Sequence, residues 1–307
     1  MRRSILLMAF LLSGALCLAD ETAPFAHIKI HRHKSPQNRV LVDKTGTLTF
    51  DDAGRKLAFE DIWGDNFDVS YDDVTKVVFE VTTHMRGGAV AEVLSHAGIA
   101  GLTAAGAIAS QHVRDHWFYL EYKNGDRNER VLLTIPKDSS DAVIGKATAV
   151  FGSRAALTAF KEKGEETNPD KLPDFKSKHK LKIDKKNHPL PELKPDKALV
   201  VVVCPPLAAR DAGHGYQYKL HANDRVVAVN RPGTYSFAYL DPGKYRLVSQ
   251  LDNANGFAIE LEAGRPYYFL QNTFEGYDGV ATTLSRNSPE LVMYELDGSY
   301  FADWKRK

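Results

Sequence analysis

Three histidines lie close together near the start of the chain, at His27, His31 and His33 in the stretch HIKIHRH. In an extended strand every second residue faces the same side, so the three imidazoles could converge, with Lys29 between them. Imidazoles are common ligands of zinc and copper. The lysine adds an unfavourable charge, and residues near a chain terminus are seldom held rigidly. We therefore expect an exposed polar leader rather than a metal site, with these histidines as the only metal candidates.

Other arrangements that could support catalysis are incomplete. His112 and His116 have the i, i+4 spacing of a helical zinc pair, but the adjacent glutamate of that motif is missing. The acidic pairs at 51–52 and 72–73 fit turn capping better than a calcium loop, which needs ligands at several alternating positions. The sequence contains no Walker loop and no serine elbow. We expect no catalytic residue, no cofactor and no enzymatic activity, with a metal-dependent enzyme as an alternative.

The length and the charge of the chain limit the possible classes of function. Its 307 residues allow two domains or one large one. The chain has 40 Lys and Arg against 39 Asp and Glu, so its formal charge is +1. Such a balance provides no general attraction to nucleic acid or to an anionic bilayer. We therefore expect no nucleic-acid partner.

Residues 1–19 have the three parts of a secretory signal peptide. Two arginines give a basic start, residues 5–16 form an apolar run, and small residues occupy Cys17 and Ala19, where signal peptidase inspects the chain. The run is too short to span a bilayer. We expect cleavage after Ala19, export, and no integral membrane span in the mature chain. A short N-terminal anchor is the alternative.

The two cysteines of the chain have different expected fates. Cys17 could accept a lipid, but the bulky Leu16 before it argues against lipidation. Cleavage after Ala19 would leave Cys204 as the one cysteine of the mature chain, which excludes an internal disulfide. Because it ends the apolar run ALVVVVC, we expect Cys204 to be a buried residue at the end of a strand rather than a nucleophile.

After a leader at 20–38, short segments with alternating apolar residues continue from 39 to 160. In TKVVFEVTTH, for example, Val77, Phe79 and Val81 fall on one face. Period-two patterns rich in β-branched and aromatic residues indicate strands. The stretch PKDSSDAVIGKATAVF instead has apolar residues at helical spacing. We expect several antiparallel strands that end in one amphipathic helix.

This order, with the stretches GTLTFDDAGRKLAFED, FDVSYDDVTKVVFE and WFYLEYKNGDRNERVLLTIPK, resembles a pleckstrin-homology-like (PH-like) or GRAM-like domain. The resemblance implies a β-barrel of two near-orthogonal sheets, closed at one end by a C-terminal helix. It does not imply phosphoinositide binding, because such folds serve many partners or none. The phosphate-gripping loop of that family has no evident match, since DDAGRK offers only Arg55 and Lys56 beside two acids.

A segment rich in Gly and Ala, at 87–113, interrupts these strands. It is nearly long enough to span a membrane, but it is only weakly apolar, because Ala and Gly dominate it rather than Leu, Ile or Phe. A single span would also put neighbouring strands on opposite sides of a bilayer. We therefore expect a helical insertion that docks on the protein itself or on a partner. The partner-contact candidates are its larger apolar residues, Val90, Val93, Leu94, Ile99, Leu102 and Ile108. The alternative is a membrane- or lipid-associated module that uses residues 88–110.

Two further regions complete the chain. Residues 161–197 are rich in charge and in proline, which predicts an exposed linker. Residues 198–307 contain strand patterns separated by turn signals such as Asn223-Asp224, and the last of these patterns is LVMYEL. Eight short strands at this spacing predict an all-β sandwich domain.

The layout NDRVVAVNRPGTYSFAYLDPGKYRLVSQ, followed by FAIELEAGRPYYFLQNTF, resembles a family of uncharacterised bacterial envelope and lipoprotein domains. Members are exported proteins or lipoproteins with no known enzymatic role, and the resemblance transfers no catalytic residue. It implies a periplasmic or envelope-associated binding or scaffolding protein. An envelope protein, a glycan or a lipid is the expected kind of partner.

Overall fold

A computed structural model describes the following ranges of the chain: 23–33, 41–61, 66–85, 112–162, 164–173, 179–206, 216–275 and 280–305. The protein is mainly β, with two α-helices in these ranges. Neither helix is long and apolar enough to cross a membrane. The predicted signal peptide and residues 86–111, which hold nearly all of the Gly/Ala insertion and all six of its partner-contact candidates, lie outside the described residues.

The first part of the chain forms an eight-stranded sheet with one helix. Its strands are β1 (Ala23–His33), β2 (Leu41–Asp51), β3 (Lys56–Asp61), β4 (Phe67–Ser70), β5 (Val74–Met85), β6 (His112–Asn124), β7 (Arg127–Ile135) and β8 (Ala155–Ala159). They lie in the order β4-β3-β2-β1-β7-β6-β5-β8, and all neighbours are antiparallel except β5 and β8. Helix α1 spans Lys137–Phe151.

A short turn forces this sheet to curl. Strand β4 lies at one end of the sheet and β5 lies next to the other end, yet only residues 71–73 join them. The two ends of the sheet must therefore meet near this turn. The guanidinium of Arg154 holds the turn in place, because its Nη1 donates to the carbonyls of Tyr71 and Val74, each at 2.7 Å.

The inner face of the curled sheet encloses a hydrophobic core that α1 closes. Ile28 and Ile30 of β1 are fully buried in it, together with alternate residues of the neighbouring strands, such as Leu48 of β2 and Leu133 of β7. Helix α1 contributes Val143, Ala147 and Phe151, as its helical spacing predicted.

The second part of the chain forms two sheets and one helix. Its strands are β9 (Glu165–Thr167), β10 (Lys180–Asp184), β11 (Ala198–Cys204), β12 (Tyr218–Ala222), β13 (Arg225–Asn230), β14 (Thr234–Leu240), β15 (Gly243–Gln250), β16 (Ala254–Leu261), β17 (Pro266–Glu275), β18 (Val280–Asn287) and β19 (Tyr300–Lys305). One sheet has the order β10-β19-β14-β11-β17-β18 and the other β13-β12-β15-β16-β9. Helix α2 spans Pro289–Asp297.

These two sheets share a second hydrophobic core. Alternate residues of β11, such as Val200 and Val202, meet Leu220 of β12 and Phe257 of β16 in it. Gly256 shows how tightly two strands of the smaller sheet approach, because a Cβ atom there would lie 2.0 Å from the carbonyl oxygen of Leu247. A residue without a side chain is therefore required at this position.

The prediction of an exposed leader at 20–38 is wrong for residues 23–33. These residues form β1, which pairs with β2 on one side and with β7 on the other. The period-two spacing of the histidines fits a strand, whereas the mobility usual at a chain terminus favours an exposed leader. A strand that pairs on both sides fixes a terminal segment through its backbone hydrogen bonds.

Residues 161–197, predicted as an exposed linker, contribute strands to both sheets of the second part. Strand β9 pairs with β16 and β10 pairs with β19, in each case at the edge of a sheet. The composition was misleading because an edge strand needs a backbone partner on one side only and tolerates lysines and acids in its side chains.

The end of the chain differs from its predicted strand pattern. LVMYEL lies in α2 and not in a strand, and β18 and β19 flank it. The helix begins where Ser288 accepts a hydrogen bond at its side chain from the backbone N–H of Leu291, with Pro289 at its first position. Serine followed by proline is a helix-start signal that decides against a short strand.

A third hydrophobic cluster joins the two parts of the chain. The outer face of the eight-stranded sheet contributes Val78, Tyr119 and Leu132. The second part contributes the following residues from β11, β14, β17 and α2: Leu199, Val201, Val203, Tyr235, Leu270, Leu291, Val292 and Leu296. The eight-stranded sheet is therefore covered on both faces, by α1 on the inside and by α2 with its neighbouring strands on the outside.

Candidate functional site

The three N-terminal histidines have different environments. His27 is exposed and has a φ of 60°, at a β-bulge between Phe25 and Ile28 that interrupts the alternation of β1. His31 is buried, and the side chain of His33 is not among those that the structure describes. Among the side chains that are described, no group of three or more His, Cys, Asp or Glu is placed to hold a metal ion.

His31 lies at the centre of a polar network across three neighbouring strands. Its Nδ1 lies 2.8 Å from Oδ1 of Asp43 on β2, and its Nε2 lies 2.5 Å from Oγ1 of Thr134 on β7. The ring also packs against Trp117 of β6, with 5.1 Å between the ring centroids. No sequence pattern indicated this grouping, since its members lie far apart in the chain and meet only through the strand order.

The charges around Asp43 favour its ionised form. Burial opposes ionisation, but the hydrogen bond and the charge of His31, together with Lys29 at 3.4 Å, outweigh it and hold the pKa of Asp43 below its usual value. A lowered pKa in the folded state stabilises the fold above the unfolded-state pKa, and this contribution is lost as the pH falls through the folded-state value.

Helix α2 covers this network from the outside. Tyr294 donates its hydroxyl proton to the backbone carbonyl of His31 at 2.5 Å. The next residue, Glu295, is buried, and its burial, with a further contribution from the charge of Asp43, raises its pKa to about 8. The carboxyl group of Glu295 is therefore mostly protonated at neutral pH.

Thr134, His31 and Asp43 follow the order of a nucleophile, a base and an orienting acid. Such a triad also needs donors fixed around a developing oxyanion, and the contacts described above run to the protein's own strands and helix instead. We interpret the network as the polar connection between β1, β2, β7 and α2. This interpretation predicts an effect on stability.

Replacing Thr134 by valine keeps the shape of the side chain and removes the hydroxyl partner of His31. We expect the free energy of unfolding to fall by about 1–3 kcal/mol, because a buried imidazole nitrogen loses its hydrogen bond. Urea denaturation monitored by circular dichroism measures it. Thr75→Val is the control, since the Thr75 hydroxyl is exposed and its loss should cost less than about 0.5 kcal/mol. Equal costs at both positions would contradict the interpretation.

A cleft of about 360 Å³ opens between the edge strand β4 and the hairpin of β6 and β7. It is lined by residues 66–70, Asp73, 122–125 and Glu129. The turn between β4 and β5 fixes its base, because the backbone N–H of Lys123 donates to the carbonyl of Asp73 at 2.9 Å. Its volume falls within the roughly 300–1,000 Å³ typical of ligand sites.

Acidic groups dominate the lining of this cleft. Asp68, Asp73 and Glu129 contribute three carboxylates, against one lysine, Lys123. Asp68 forms an exposed ion pair with Lys56 at 2.7 Å. Glu129 accepts hydrogen bonds from the side chains of two residues on β6, which hold it in place on the opposite wall. The cleft therefore favours a ligand with positive charge and many hydrogen-bonding groups.

No protein-family model and no curated protein matches this sequence. The two family resemblances therefore stay predictions, supported by the residues that carry them.

Cys204 lies where the sequence placed it. It ends β11 and is fully buried, with its Sγ 4.0 Å from Oγ1 of Thr273. Burial raises the pKa of its thiol to about 12. The thiolate that a nucleophile requires is therefore scarce at neutral pH.

A buried carboxylate, Glu80, was missed by reasoning from the sequence. It lies on the outer face of β5 and is 1% exposed. It accepts hydrogen bonds from Nδ2 of Asn287 at 2.8 Å and from the backbone N–H of Ser288 at 2.9 Å, at the start of α2. Burial nevertheless raises its pKa above the usual value. The partial positive charge of a helix N-terminus suits this position.

Proposed function

We propose that the protein is an exported, non-enzymatic binding protein of the bacterial cell envelope, and that it holds its ligand in the cleft beside β4. The observation that carries this proposal is the cleft itself, with its open volume and its acidic walls. The signal-like residues 1–19 and the resemblance of the second part to envelope domains support the location.

The proposal includes the finer fold assignments. We propose a PH-like barrel for the first part, supported by the short turn that curls the sheet and by α1 at its inner face. We propose a β-sandwich for the second part, supported by the core that its two sheets share. In both, a rigid scaffold carries the loops and edges that bind.

The polar lining of the cleft narrows the class of ligand. Sites for small apolar molecules are lined mainly by hydrophobic and aromatic side chains. Here the lining consists mostly of charged and polar side chains and a strand edge, while the side chains of Phe67 and Val69 are buried in the core. Such a surface suits a peptide segment of an envelope protein.

A photo-crosslinking amino acid placed at Asn66 tests the site in living cells. Asn66 is exposed and lines the cleft, so we expect a crosslinked adduct in the envelope fraction after irradiation. Asp224 is exposed in the turn between β12 and β13, in the second part of the chain, so the same substitution there is the matched control. Equal adducts at both positions, or none at Asn66, would count against the cleft as the binding site.

The predicted cleavage after Ala19 is tested separately. Mass spectrometry of the purified protein should find Asp20 as its first residue.

A further inference from the structure

The main-chain edge of β4 is turned into the cleft. All five residues at 66–70 line it, although side chains in a strand alternate between faces. Phe67 and Val69 are buried in the core, so they reach the cleft through their backbone. Because five consecutive residues line the cleft, its wall at this point is the backbone edge of a strand rather than a set of side chains.

The register shows which backbone groups point outward. The N–H of Tyr71 donates to the carbonyl of Arg55 at 2.9 Å, and from Lys56↔Ser70 to Phe59↔Phe67 the ladder continues without a shift. In an antiparallel ladder, hydrogen-bonded and non-hydrogen-bonded pairs alternate. Phe67 and Val69 thus pair with β3, and the N–H and the carbonyl of Asp68 point away from β3. In the described chain β4 is the last strand at this end of the sheet.

An outward-facing donor and acceptor on one residue is the pattern that an added strand requires. Main-chain hydrogen bonds then supply affinity, and the side chains that alternate along the added strand supply specificity. The charges on the cleft walls determine which side chains of an added strand fit. Asp68, Asp73 and Glu129 face the cleft with one lysine among them, so cationic side chains on the added strand complement the charge.

We propose that the cleft binds an extended, basic peptide segment of a partner protein, which pairs with the edge of β4 at Asp68. This proposal rests on the proposed function and names the ligand class and the binding mode. The bound segment extends the eight-stranded sheet by one strand, and its lysine or arginine side chains lie against the acidic walls.

The probe is the synthetic peptide acetyl-Lys-Thr-Lys-Val-Lys-Thr-Lys-amide, added to the full mature chain. We expect the amide resonances of Asp68 and Ser70 to shift during the titration and their hydrogen exchange to slow. The matched peptide carries proline in place of its central valine, which removes one main-chain donor and disfavours an added strand. The proline peptide should bind about tenfold more weakly than the valine peptide, although both carry the same charge.

Two variants of the protein separate main-chain pairing from charge. Asp68→Ala keeps the backbone N–H and removes a carboxylate, so binding should weaken about threefold and lose part of its dependence on salt. Asp68→Pro removes the outward N–H, which the β3 ladder does not use, and should abolish the binding. If Asp68→Pro fails to fold, the proline peptide still decides the question.

The outcomes distinguish this inference from the proposed function. Equal binding of both peptides, or binding that leaves the Asp68 and Ser70 amides unchanged, would overturn strand addition. A crosslink at Asn66 would in that case still support the cleft as the binding site. The absence of both the peptide response and the crosslink would overturn both proposals.

Discussion

Replacing Glu295 by glutamine is expected to stabilise the protein at high pH and to have little effect in acid. The free energy of unfolding of the variant, relative to the wild type, should be unchanged near pH 4 and should rise between pH 5 and pH 9. At the upper end the gain is on the order of a few kcal/mol. This would be a large change for a protein of ordinary stability.

The sign follows from the raised pKa of Glu295. Its value of about 8 in the folded protein lies above the ordinary value of 4.5, so the folded state holds a proton that the unfolded state releases. As the pH rises from the lower value to the higher one, the wild type loses stability. A glutamine has no proton to lose, and it keeps the shape of a side chain that is 4% exposed.

Guanidinium denaturation at a series of pH values measures this difference. Glu260→Gln is the control, because Glu260 is an exposed glutamate on β16. Its effect should be small. A difference for Glu295→Gln that does not change with pH would mean that the carboxyl group is ionised in the folded protein at neutral pH, contrary to the effect of its burial.

The second prediction concerns Leu132 and Leu133, which are adjacent on β7 and both fully buried. Leu133 packs in the inner core with α1, whereas Leu132 packs against the second part of the chain. We expect Leu132→Ala and Leu133→Ala each to lower the free energy of unfolding by about 2–5 kcal/mol. The leucine on the outer face is expected to matter as much as the one on the inner face.

Hydrogen exchange measured by mass spectrometry shows how far each effect spreads. If the shared cluster couples the two parts of the chain, Leu132→Ala should speed the exchange of slowly exchanging amides in β7 and in β11 alike. Leu133→Ala should act first on the strands around α1. If Leu132→Ala changes only β7 and its neighbours, the two parts unfold independently and the shared cluster adds little to their stability.

The features that the sequence predicted are those that depend on neighbouring residues. Alternation identified most strands, and Asn223-Asp224 marked the turn between β12 and β13, where Asn223 has a φ of 53°. Residues 291–296 were assigned to a strand rather than a helix, because a short apolar run fits either element equally well. The Ser-Pro pair before it was the local signal that separates the two.

The features that the sequence missed depend on the strand order. Neighbouring apolar pairs such as Val77-Val78 and Leu132-Leu133 are buried together because their strands are covered on both faces. They could not show that α2 provides the outer cover. The His31 network and the cleft need the same knowledge, because one forms where β1 lies between β2 and β7, and the other forms where β4 ends the sheet.

The central position of β1 has a consequence for the order in which the chain can fold as it is made. The first described strand is completed only by β7, so the hydrogen bond between His31 and Thr134 spans 103 residues. Its outer cover arrives later still, because the bond from Tyr294 to the His31 carbonyl spans 263 residues. Until the second part of the chain has been made, the outer face of β7 with Leu132 lacks the residues that pack on it in the folded protein. The start of the chain thus depends on the end of the chain, and a chaperone would have its longest opportunity to bind at this face.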